Sequence, residues 1–234
     1  MSNQAPITLE QLFRYYRGHP HQMAAIAMLE ADLSMLGYQA AMRRDRPWFA
    51  VWSQAGKQSD RIQLAVPYYS QNDNGATGYR ECFSSSCAMV AAFHGKLTGG
   101  DDAYNRVRAR YGDTTDAQAQ VQTLRALGLD ARLVTTAATA LLRGELQAGR
   151  PIAVGWLHRG PLNAPSGGGH WSVVIGCGAT GWIHHDPNGE ADIVNGGYVN
   201  HTGGKAVTYS ERWVRRWEAD GPATGWAMLI RPLA

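Results

Sequence analysis

The chain has 234 residues, 44% of them hydrophobic, enough to bury one substantial core with a small appendage. A net charge of +3 without any Lys/Arg block gives no ground for a nucleic-acid partner, and no run of about 18 apolar residues offers a membrane-spanning segment. Three unevenly spaced cysteines make no disulfide framework, and "MSNQAPITLEQLFRYYRG" lacks the basic start and apolar core of a secretory signal, so a protein made in a reducing cytoplasm is expected.

Residues 1–52 read as a helical module. Thr8 followed by Gln11 fits a capping box, and Pro20 suits the first turn of a second helix. Ile26, Leu29, Leu33 and Leu36 then recur at helical spacing before Gly37. The polar stretch "SQAGKQSD", 53–60, reads as a linker to a second domain over 61–234. In that domain "RIQLAVPYY" alternates like a strand, and "SSSCAMVAAFHG" reads as a helix opened by serines and closed by Gly95. "DDAYNRVRARYG", "TTDAQAQVQTLRALG" and "ATALLRGELQAG" are further helices. After Pro151 come strands in "IAVGWLH", "HWSVVIGC", "GWIHHD", "KAVTY" and "WAMLIR", with a short helix in "SERWVRRWE". Helices first and strands second predict an α+β domain with a mainly antiparallel sheet.

Cys82 and Cys87 flank the serines. Phe83, Cys87, Val90, Ala91 and His94 share one helix face, so Cys87 reads as a small apolar core residue. Cys82 stands where a loop feeds the helix, and the unpaired N–H groups and positive dipole end there favour a thiolate. This window leaves two readings open, a nucleophile at Cys82 or two inert buried thiols. Further along, "SGGGHWSVVIGCGATGWIHHDPNG" holds two apolar runs, His170 opening the first and Asp186 closing the second. Folded as a hairpin with its turn on Gly178, these runs place His170 opposite Asp186, with Cβ atoms about 4.5–5.5 Å apart. A carboxylate there would orient an imidazole serving a nucleophile. Oxyanion donors are also required, and the Cys82 N–H and the side-chain amide of Gln71 are candidates; the alternative for Gln71 is an ordinary loop residue.

Rival chemistries are weaker. His184, His185 and Asp186, with Cys177 nearby, form a cluster of metal-ligating types. Adjacent histidines on a strand point to opposite faces, though, and neither HExxH nor a paired CxxC is present. The glycines before His170 lack the Lys-Ser/Thr of a P-loop; with "HRGPLNAPSGGG" they read as a flexible loop gating the site. No metal or cofactor is therefore expected. Eight tryptophans, among them Trp156, Trp171 and Trp182, offer a non-catalytic sugar- or peptide-binding face as the other alternative.

Taken together, "VPYYSQ" (66–71), "CFSSSCAM" (82–89), "GHWSVVIG" (169–176) and "HDPNG" (185–189) resemble the papain-like cysteine peptidases of the bacteriocin-leader-processing type and their stand-alone relatives. The resemblance spans about residues 61–230. It implies a papain-like fold, with helices packed on a mainly antiparallel sheet. Relatives read Cys-Gly-Pro-x-Ser-x-Ala-Met, and alignment on Ala88–Met89 makes Cys82 the nucleophile, His170 its base, Asp186 the orienter and Gln71 the oxyanion donor. Phe83–Ser84 departs from the usual Gly–Pro, and "NDNGATGYRE" is longer than usual. No transporter cassette or membrane segment follows, so a transporter-coupled role is not expected. Helices ahead of a lone catalytic domain resemble the build of phage and bacterial wall lysins. The resulting expectation is a monomeric cysteine amide hydrolase of the phage endolysin type, acting on peptidoglycan after a separate route out of the cytoplasm. The alternative is a cysteine protease acting on a protein or leader peptide.

Overall fold

The computed structural model describes the backbone of residues 38–43 and 46–54 and, in full, residues 61–233. The chain divides into two compact units, Met1–Ser59 and Asp60–Ala234. In the first, strands β1 (Tyr38–Arg43) and β2 (Arg46–Gln54) pair antiparallel, with Ala41 opposite Val51. Helix was expected as far as residue 52, so this is a correction. "RPWFAVW" is rich in aromatic and β-branched residues that suit a pleated surface, and among the described residues both strands are edges, where Pro47 is tolerated. The helical spacing from Ile26 to Leu36 and the caps at Thr8 and Pro20 lie outside the described residues, as does 55–60 of the expected linker.

The second unit is α+β. Its helices are α1 (Cys82–Phe93), α2 (Gly100–Arg108), α3 (Ala117–Ala126), α4 (Thr139–Gln147) and the single turn α5 (Val214–Trp217). Its strands are β3 (Ile62–Gln63), β4 (Leu129–Ala137), β5 (Ile152–Trp156), β6 (His170–Gly178), β7 (Gly181–His185), β8 (Glu190–Ala191), β9 (Tyr198–Asn200), β10 (Val207–Tyr209) and β11 (Gly225–Pro232). A seven-stranded sheet runs β10-β7-β6-β5-β11-β4, β3 pairing with the far end of β6, and all its pairings are antiparallel. β8 and β9 pair separately. Among the described residues no helix is long and apolar enough to cross a membrane.

The sheet is covered on both faces, which explains why "HWSVVIGC" reads as a nearly continuous apolar run. Trp171, Val173 and Ile175 of β6 face one core, built with Met89 and Val90 of α1, Tyr104 of α2 and Leu124 of α3. Val174 and Cys177 face the other, with Leu142 and Leu146 of α4 and Trp182, Trp213 and Trp217. α1 is central, with Cys87 to Ala91 fully buried, and a helix enclosed on all sides needs no polar stripe.

The serines expected to open α1 lie inside it instead, because the helix begins at Cys82 itself. Tertiary partners satisfy two of their hydroxyls: Ser84 meets Thr114 at 2.7 Å and receives Gln120 at 3.0 Å, while Ser85 donates to Asp101. Two further differences concern strands. "RIQLAVPYY" is ladder-paired only at Ile62–Gln63, and β4, read as no element from the sequence, forms the far edge of the sheet.

Candidate active site

Cys82 is half-buried and is the first residue of α1, so its N–H belongs to the turn that cannot be paired within the helix. The preceding residue anchors that turn: the Glu81 carboxylate accepts from Asn74 at 2.9 Å, Thr77 at 2.8 Å and Asn105 at 2.8 Å. Cys87, one and a half turns on, is sealed in the core, and burial pushes its thiol far up. Cys87 is thereby held as an inert thiol.

His170 opens β6, and Asp186 follows the last residue of β7. Direct pairing about Gly178 was expected. The hairpin instead pairs Val173 with His185 and Gly178 with Gly181, with a bulge between Val174 and Gly176, so Ala179–Thr180 form the turn. Asp186 therefore lies two positions from direct opposition to His170. An even shift keeps both side chains on one face of the pleat, within diagonal reach. His170 Nε2 lies 2.7 Å from Asp186 Oδ1, both side chains being buried.

The carboxylate is itself held. The Tyr209 hydroxyl donates to Oδ2 at 2.9 Å, and the Asn188 N–H donates to Oδ1 at 3.0 Å. Burial raises the Tyr209 pKa, so the phenol stays protonated as a donor. Sequence reading missed Tyr209. Its one signal was the strand pattern of "KAVTY", and nothing local ties a residue of β10 to the end of β7.

Burial works to lower the His170 pKa, but the Asp186 charge and hydrogen bond, with the hydrogen bond and charge of Cys82, raise it to about 10. The imidazole is thus protonated at neutral pH. Asp186 occupies Nε2, which leaves Nδ1 for the hydrogen bond with Cys82. Phe83, next to Cys82, stacks on Trp171, next to His170, with ring centroids 3.6 Å apart and planes 4° apart. That stack joins the start of α1 to the start of β6 and accounts for Phe83 where the resembling pattern has glycine. The edge of Trp156 closes another side of His170, at 5.3 Å and 88°.

Gln71 is buried and begins the two short 3₁₀ turns, Gln71–Asp73 and Gly75–Arg80, that lead into Cys82. These turns compact the long "NDNGATGYRE" insertion. The Gln71 backbone N–H donates to Pro187 O at 2.9 Å, beside Asp186, while its Nε2 donates to Gly78 O at 2.9 Å. Gln71 is therefore pinned between the turn after Asp186 and the loop entering α1, with one amide hydrogen spare and Oε1 unpartnered.

The histidines of β7 part company, as the pleat requires. His184 Nδ1 meets Ser172 Oγ at 3.0 Å, and burial lowers its pKa to about 3. His185 accepts from the Ala206 N–H at Nδ1, so its Nε2–H donates to Val66 O at 2.9 Å and ties "VPYYSQ" to the sheet.

A thiol at a helix start beside a carboxylate-held histidine, on an α+β frame of helices against an antiparallel sheet, defines a papain-like cysteine peptidase. Residues 63–220 match the Peptidase_C39 like family, and the chain belongs to that family. No curated protein matches it. Among solved structures, a double glycine motif protease from an AMS/PCAT transporter, in complex with the leader peptide, is similar at 19% identity and TM-score 0.47, over 73% of this chain and 94% of that one. The peptidase domain of Streptococcus ComA, a bifunctional ABC transporter in a quorum-sensing pathway, is similar at 21% identity and TM-score 0.46, over 74% and 99%.

Proposed function

We propose that this cysteine peptidase hydrolyses a peptide bond in a protein or peptide substrate through Cys82, His170 and Asp186. The carrying observation is the 2.7 Å contact between His170 Nε2 and Asp186 Oδ1, which holds the imidazole and leaves its other nitrogen available to the nucleophile. The Cys82 sulfur adds to the scissile carbonyl carbon. Developing negative charge on the oxygen is met by the Cys82 N–H and the spare amide hydrogen of Gln71. As the intermediate collapses, the C–N bond breaks and His170 gives its proton to the departing amine. Water, losing a proton to His170, then attacks the thioester and returns the free thiolate.

The peptidoglycan expectation leaned on a helical module through residue 52. Residues 38–43 and 46–54 of that module are strands, and family membership supports cleavage of peptides. The test is digestion of a mixed peptide library and of purified peptidoglycan, in parallel, with wild type and Cys82→Ala, read by mass spectrometry. Cleavage of peptides by wild type alone is expected. Release of muropeptides alone would sink the peptide reading, and equal activity in Cys82→Ala would sink the nucleophile.

A further inference from the structure

A cavity of ≈ 250 Å³ opens beside the site, walled by Trp156 and Leu157, by Trp217 and Trp226, and by the strip Gly167–Gly169. Two of these residues adjoin His170. Gly169 is bonded to His170, and Trp156 is the ring set edge-on against that imidazole.

The glycines of the strip differ in what they need. Gly167 and Gly169 have φ of 110° and 88°, which a side chain would strain. Gly168 has no such φ, and a Cβ there would meet nothing within 4 Å. The backbone therefore does not require glycine at 168, where a side chain would stand in open space beside the cavity. Trp226, half of it solvent-exposed, holds an indole at the cavity mouth. The remaining lining residues include one charge of each sign. Arg216 is committed to four backbone carbonyls, those of Leu157, Arg159, Gly160 and Ile193, and Asp220 stands exposed. The wall thus draws in neither a cation nor an anion. Its volume suits one large side chain and falls short of a whole small-molecule ligand.

We propose that this cavity is a specificity subsite, resting on the peptidase reading, that takes one aromatic or long aliphatic side chain of the substrate near the scissile bond. Burying such a side chain favours it over glycine by on the order of 10- to 100-fold in kcat/KM.

The test has two arms. In the first, a library varied at each position around the cut is digested by wild type, Gly168→Leu and Trp226→Ala. Wild type should favour Phe, Trp or Leu at one position by at least about 10-fold over Gly. Both variants should bring that ratio towards one, Gly168→Leu by filling the mouth and Trp226→Ala by removing its lip. In the second arm N-acetyl-phenylalaninamide and N-acetylglycinamide are titrated into the Cys82→Ala protein while the tryptophan indole N–H resonances are followed. Only the phenylalanine compound should shift Trp217 and Trp226. Absence of any apolar preference overturns the subsite, as does a preference untouched in both variants. If no peptide is cut, the peptidase reading fails and the specificity subsite fails with it, whereas cleavage without apolar preference overturns the subsite alone.

Discussion

His170 keeps its proton at neutral pH because the Asp186 carboxylate outweighs the penalty of burial. Asp186→Asn removes that charge but leaves a polar partner. It should lower kcat/KM on the order of 100-fold and draw the alkaline limb of the pH profile, set near about 10 by His170, to lower pH. A limb that stays in place would mean that another group governs it. Tyr209→Phe, losing one hydrogen bond to the carboxylate, should cost about 1 kcal/mol of stability while leaving the Asp186 charge, and so the limb, much closer to wild type than Asp186→Asn does. Cys87→Ala should retain most activity, whereas loss of turnover in a folded Cys87→Ala protein would move the nucleophile to that residue. Cys82, His170 and Asp186 were legible one by one, since helix-start, hairpin and turn signals are local. Tyr209 was not, because its contact with Asp186 spans 23 residues and two strands.

Between elements, the Phe83–Trp171 stack sets how α1 meets β6 and hence how the thiol meets the imidazole. Phe83→Ala should destabilise the protein by about 3 kcal/mol in denaturant unfolding. It should also reduce turnover well beyond Cys87→Ala, though Phe83 itself touches no reacting atom. Unchanged turnover after correction for the folded fraction would show that the stack is packing alone. Gly176 allows a second junction. A Cβ there would overlap the Ile62 carbonyl, so Gly176→Ala should detach β3 and speed amide exchange through the segment leading to Gln71. The hairpin that carries His170 and Asp186 was readable in kind, and its turn was misplaced by a bulge. Even displacement left the facing intact, so the error did not separate the pair. The strands at 38–54 were misread because a helical reading of the preceding residues was extended past Gly37, although "RPWFAVW" has the composition of a strand.

At the scale of the molecule, the second unit is one sheet between two cores, and Arg216 clamps the loop that walls the cavity. Its guanidinium serves four carbonyls at 2.7 to 3.1 Å, so Arg216→Met should destabilise by roughly 3 kcal/mol and loosen 157–160. Stability should also report His170. Its folded pKa, about 10, exceeds the unfolded value of about 6.5, so the folded state binds the extra proton between those values. This contribution is complete below about pH 6.5 and is lost as pH rises through 10. Thermal melts from pH 7 to 10 should show the decline, and Asp186→Asn should flatten it. A wild-type decline that persists unchanged in Asp186→Asn would assign it to other groups.

Periodicity, turn residues and motif order carry the α+β class, most of the helices and strands after residue 60, and the candidate chemistry, because each depends on neighbours in the chain. Whether Asp186 reaches His170, which ring braces Cys82, what pins Gln71 and where a substrate side chain can sit are long-range properties. They follow from strand register, from the bulge before Gly176 and from the packing of two cores against one sheet. A local pattern can propose such contacts but cannot rank them, since their energies depend on burial that exists only once the chain has folded.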